Sequence, residues 1–102
     1  MTPCPPLDCR TMNEVRAGVD ALDRELVALL ARRFDYMRAA ARIKPRREAV
    51  RNEARKAAVI AAAREHAKVH GAPPARIAAL WEALVESSIA YELEEWDRRH
   101  RL

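Results

Sequence analysis

The stretch "LLARRFDYMRAAARIKP", residues 29–45, decides how the chain folds. It reads as helix. Followed upstream to Val15, the three-and-four spacing of a buried helical seam picks out Val15, Val19, Leu22, Leu26 and Leu29. It then falls on Arg33 before resuming at Tyr36 and Ala40. An arginine does not give up its proton inside a protein, and a charge withdrawn from water needs a partner. Something anionic is therefore expected opposite Arg33.

Upstream of this stretch, Thr11 followed three residues later by Glu14 forms a capping box, which starts the first helix near Met12. The pattern runs on to Lys44, where Pro45 forces a stop. At 1.5 Å per residue such a helix is a rod of roughly 50 Å. A compact 100-residue globule has a radius of gyration of only about 13 Å. One chain cannot cover that seam, so two long helices from two copies are expected to pack together as a homodimer.

Downstream, "RREAVRNEA" is polar and weakly periodic. It predicts a loop leading into a second helix near Asn52, with residues 46–51 mobile until a ligand orders them. The second helix runs to His70, where Gly71 is the expected left-handed stop. Pro73 and Pro74 open a third helix that reaches about Arg99. Its seam is Ile77, Trp81, Leu84, Ser88, Glu92 and then Glu95 or Trp96, so here too apolar spacing runs into polar residues. The fold class predicted is all-α, with three helices per chain, a long first helix and an intertwined dimer. Residues 1–10 form an N-terminal extension and residues 11–102 the helical domain.

Composition agrees with one helical domain. Half of the 102 residues are hydrophobic, only 5% are aromatic, and two are glycine. The formal charge of +4 is a modest excess with both signs interleaved, which suits a small anionic ligand or a nucleic acid. The basic pairs Arg32–Arg33 and Arg46–Arg47 lack the aromatic interleaving of single-strand binders and no helix-turn-helix spacing appears, so nucleic acid is not expected. Cys4 and Cys9 have no further ligands spaced for a metal and read as ordinary thiols. His66 and His70, four apart, lack the glutamate of a zinc helix. No signal peptide or membrane span is apparent, and a cytoplasmic location is expected.

The polar seam residues have a definite geometry. Arg33 and Lys44, eleven residues apart, differ by only about 20° of helical rotation and share a face. Arg16 points roughly 100° away from Arg33 and reaches the same place only from a partner chain. Arg55 lies early in the second helix. Ser88 and Glu92 lie one turn apart on the third. Glu92 has two readings: a structural ion-pair partner for Arg33, or a functional group.

Taken in order, "VRAGVDALDRELVALLARR" with Arg16 and Arg33, then Lys44, "NEARK" with Arg55, and "SSIAYE" with Ser88 and Glu92 resemble the all-helical chorismate mutase family. Within it, "CRTMNEV" and "RRFDYMRAAARIK" are similar to the salicylate-forming isochorismate-pyruvate lyase branch. The resemblance implies the type II fold, an intertwined dimer with two shared active sites, and a dianionic substrate, chorismate or isochorismate. It implies that Arg33 and a partner's Arg16 grip carboxylates, and that Lys44 bonds the ether oxygen and a carboxylate. Arg55 lies near the ring, Ser88 supports a carboxylate, and Glu92 faces the ether oxygen. By this likeness the catalytic residues are Lys44, Glu92 and Arg33, and no cofactor or metal is needed.

Chorismate mutase activity is the first expectation, with isochorismate-pyruvate lyase as the alternative and a bifunctional enzyme satisfying both. Two positions depart from the mutase pattern. Lys56 stands where mutases commonly carry an acid that holds the ring hydroxyl, and Asn52 stands where an Asp is common. A rival from another class is a non-catalytic, partner-binding helical dimer whose seam charges are interchain ion pairs.

Overall fold

The computed structural model describes residues 2–101. Three helices make up the chain: α1 at Met12–Ile43, α2 at Glu53–His70 and α3 at Pro74–Arg99. Single 3-10 turns lie at Pro6–Asp8 and Arg47–Ala49. Among the described residues there is no strand. The all-α class, three helices with a long first one, is as the periodicity predicts.

Local chemistry sets the helix ends. At the start of α1 the Glu14 amide donates to Thr11 Oγ1 (3.2 Å) while Glu14 Oε1 accepts from the Thr11 amide (3.1 Å), a reciprocal box. The same carboxylate accepts the Arg10 amide at 3.1 Å and the Cys4 thiol at 2.9 Å. α1 ends at Ile43, one residue short of the expected Lys44, although the Lys44 amide still bonds the Ala40 carbonyl at 2.9 Å. Asn52 caps α2, its side chain accepting the Arg55 amide at 3.0 Å. Gly71 closes α2 at φ +72°, a conformation that glycine adopts without strain, and the next amide, of Ala72, reaches the Ala67 carbonyl at 2.9 Å. Pro74 opens α3 at a position where its missing N–H costs nothing.

The chain divides into two compact units at Asp35/Tyr36, within α1. In the first, the α1 seam is open: Val15 is 38% and Leu22 57% exposed, and Val19, Leu26 and Leu29 are exposed too. In the second, α2 packs on α3. Its core is Val50, Val85 and Ile89, with Val59, Ile60, Trp81, Leu93 and Trp96 against it. Buried Ala63, Ala67 and Ala78 present small side chains within this unit, which allow a close approach of helix axes.

The segment after Pro45 departs from expectation. Its composition predicts a polar loop with few buried contacts, and the structure instead pins it at three points. Val50 is buried in the core. Arg47 makes a bidentate pair with Asp97 at 2.8 and 3.1 Å. Arg51 makes another with Glu86 at 2.8 and 3.0 Å. Buried Val50 and two long-range arginine forks hold what its composition alone leaves loose.

Candidate active site

The predicted site residues fall into two groups. Lys44, Ser88 and Glu92 are brought together in the second unit. Lys44 follows the last turn of α1, and its Nζ donates to Glu92 Oε2 at 2.7 Å. The Glu92 side chain is only 5% exposed and that of Lys44 31%. A carboxylate so far from water needs a cation, and Lys44 supplies it. Within the second unit, then, Glu92 pairs with Lys44.

Ser88, one turn before Glu92 on α3, is buried, and its hydroxyl donates to the Leu84 carbonyl at 2.7 Å. Polar side chains four residues back-bonded in this way stay satisfied on an otherwise apolar helix face. Arg55 is exposed in the first turn of α2. Arg16, exposed, and Arg33, half-buried, stand on the part of α1 that belongs to the first unit.

The two departures from the mutase pattern acquire physical explanations. Asn52 is the α2 cap, a job for which Asn and Asp are interchangeable. Lys56 points to α3, where its Nζ lies 2.7 Å from Glu82 and 2.8 Å from Glu86. Glu86 thus faces both Arg51 and Lys56, whose hydrogen bonds hold its carboxyl down at about 2. Arg47 likewise holds the Asp97 carboxyl below its ordinary value.

Two further contacts join the C-terminal part of α1 and Lys44 to α3. The Trp96 indole Nε1 donates to the Lys44 carbonyl at 3.0 Å. Arg38 Nη1 donates to the Tyr91 hydroxyl at 2.6 Å, and its guanidinium lies 5.9 Å from the Tyr91 ring centroid. Tyr91 and Trp96 lie on α3 beside Glu92, so the aromatic residues at one end of an acidic helix were the available signal. Their partners were not legible, because they lie about fifty residues earlier in the chain.

Other features offer less chemistry. A cavity of about 360 Å³ in the first unit is lined by the Pro-rich extension and by Val15, Val19 and Leu22, an apolar setting. Cys4 at its edge donates to Glu14, which pushes the thiol up and makes it a poor nucleophile. Among the described residues no three His, Cys, Asp or Glu side chains are grouped to hold a metal ion.

The chain has a counterpart among known protein families. A sequence profile of chorismate mutase type II matches residues 15–93, which include Arg16, Arg33, Lys44, Arg55, Ser88 and Glu92. The chain belongs to the chorismate mutase type II family. This family member is also similar to the isochorismate pyruvate lyase of Pseudomonas aeruginosa, with 29% identity over 91 residues, covering 89% of the chain and 90% of the relative. Among the described residues of this chorismate mutase family member, no helix is long and apolar enough to cross a membrane.

Proposed function

We propose that this protein cleaves the enolpyruvyl ether bond of a chorismate-type dianion, with isochorismate-pyruvate lyase as its principal reaction and chorismate mutase as a second. The observation that carries the preference is Lys56. At the position where mutases commonly hold the ring hydroxyl with an acid, this chain has a cation, already engaged by two α3 glutamates. The similarity to a lyase along nearly the whole of both chains supports the same choice. The family match to chorismate mutases favours the second activity.

Both reactions are pericyclic and require no nucleophile. The ether C–O bond breaks in each. In the lyase reaction a ring hydrogen moves to the enolpyruvyl methylene, and the products are salicylate and pyruvate. In the mutase reaction a carbon–carbon bond forms instead and gives prephenate. The protein's task is to hold the reactive conformer and to stabilise negative charge growing on the ether oxygen. Lys44, held on Glu92, is the cation for that oxygen. Arg33 and Arg16 of a partner chain grip the two carboxylates, Arg55 lies near the ring and Ser88 supports a carboxylate. Glu92 orients the Lys44 ammonium as a carboxylate and donates to the ether oxygen when protonated.

A shared site implies a homodimer built on the open α1 seam, with residues 11–102 as its working domain and 1–10 as an extension. The test is direct. Pure protein given isochorismate is expected to release salicylate, read by its fluorescence, faster than it consumes chorismate, read by absorbance. Arg33→Ala is expected to lower turnover by orders of magnitude, because a charge-assisted carboxylate clamp is lost. Consumption of neither substrate would leave the non-catalytic dimer as the better reading.

A further inference from the structure

α3 grips Lys44 at two points one helical turn apart. Glu92 takes the side-chain ammonium at 2.7 Å, and Trp96, four residues on, takes the backbone carbonyl at 3.0 Å. The carbonyl so held closes α1 at its junction with Pro45, a helix end whose last carbonyls have no partner within the helix. The indole itself is fixed. It packs against the Val50, Val85 and Ile89 core and stacks on the His100 ring, with centroids 3.7 Å apart and planes at 13°. His100 is in turn tied to the Trp96 carbonyl at 2.7 Å. On the other side of Pro45, Asp97 holds Arg47.

We propose that Trp96 is a positioning residue for Lys44: its indole N–H anchors the Lys44 backbone so that only the side chain moves when the ammonium turns from Glu92 to an anionic substrate. The inference rests on the functional reading of Lys44 given above. A flexible four-carbon stem supplies the travel. The placement of a charge that stabilises a transition state is sensitive to shifts of an ångström, and an unanchored backbone loses that placement.

Trp96→Phe removes the N–H and keeps an aromatic ring against the core. Its kcat for isochorismate is expected to fall about tenfold or more, with KM within about twofold and the melting curve unchanged. Affinity for an oxabicyclic dicarboxylate mimic of the transition state, measured by calorimetry, is expected to weaken in Trp96→Phe. The same change made in a background carrying Lys44→Ala with Glu92→Gln, which leaves no stranded buried carboxylate, is expected to leave that affinity unaltered, since no cation remains to be placed. An unchanged kcat in Trp96→Phe, with the parent protein active, would overturn the proposal. So would an equal loss of affinity in both backgrounds, which marks a merely structural role. A second measurement uses the unaltered chain: of its two indole N–H signals, the one absent from Trp96→Phe is expected to exchange slowly with solvent, with and without the dicarboxylate. Exchange as fast as that of free tryptophan would also overturn it. If the parent turns over neither isochorismate nor chorismate, the functional reading fails, and the exchange measurement still decides whether the anchor exists.

Discussion

Glu92 is the residue on which the proposed chemistry turns. It is buried and its Oε2 lies 2.7 Å from Lys44 Nζ, and as a carboxylate it accepts hydrogen bonds without donating any. Its charge then also opposes the negative charge that builds on the ether oxygen. A protonated Glu92 donates to that oxygen and releases Lys44 to do the same. Glu92→Gln, whose amide donates a hydrogen bond without carrying charge, is expected to remain active at high pH and to vary less with pH than the parent. Rates measured across pH for both proteins check this, and a folded Glu92→Gln that is inactive throughout would assign the carboxyl another role. Glu86 invites a second test. Arg51 and Lys56 lower its carboxyl from 4.5 to about 2, so the folded chain binds a proton there less readily than the unfolded one. The contribution is complete above about pH 4.5 and is lost as pH falls towards 2. Urea midpoints are expected to drop over that window in the parent and less in Glu86→Gln. Added salt shrinks the difference, because these side chains are partly exposed.

Among the helices, α3 organises the second unit. It supplies Val85 and Ile89 to the core, Ser88 and Glu92 to the candidate site, and Trp96 and Asp97 to the chain on either side of Pro45. α2 reaches it through a turn whose geometry depends on Gly71. A Cβ at Gly71 meets nothing within 4 Å, so the cost of a side chain there lies only in the backbone at φ +72°. Gly71→Ala is expected to lower stability by about 1 kcal/mol, and Gly71→Asn by less, measured by urea unfolding.

For the chain as a whole, the deciding feature is the exposed row Val15, Val19, Leu22, Leu26 and Leu29. So much aligned apolar surface on one helix suits burial against a second copy. The protein is expected to sediment as a dimer, and Leu22→Glu with Leu26→Glu to shift it towards monomer. If Arg16 acts across that dimer, an inactive Arg16→Ala chain refolded with an inactive chain carrying Lys44→Ala and Glu92→Gln regains activity. The paired change avoids stranding a buried carboxylate. Mixtures that stay inactive while forming heterodimers would place both residues in one chain's site.

Local chemistry by itself determined where the helices begin and end. Thr11 with Glu14, Pro45, Asn52, Gly71 and Pro74 each act on backbone groups within a few residues, so their effect is written in adjacent letters. Apolar period likewise determined the helical class and placed Ser88 and Glu92 on a buried face. Tertiary structure alone decided which groups meet. Lys44 with Glu92, Trp96 with the Lys44 carbonyl, and Lys56 with Glu82 and Glu86 join positions far apart in the chain. A helical period states which side a residue faces and not which turn of another helix stands opposite. That register comes from how the Val50, Val85 and Ile89 core closes, and the same closure gives the segment after Pro45 the buried contacts that its polar composition does not announce.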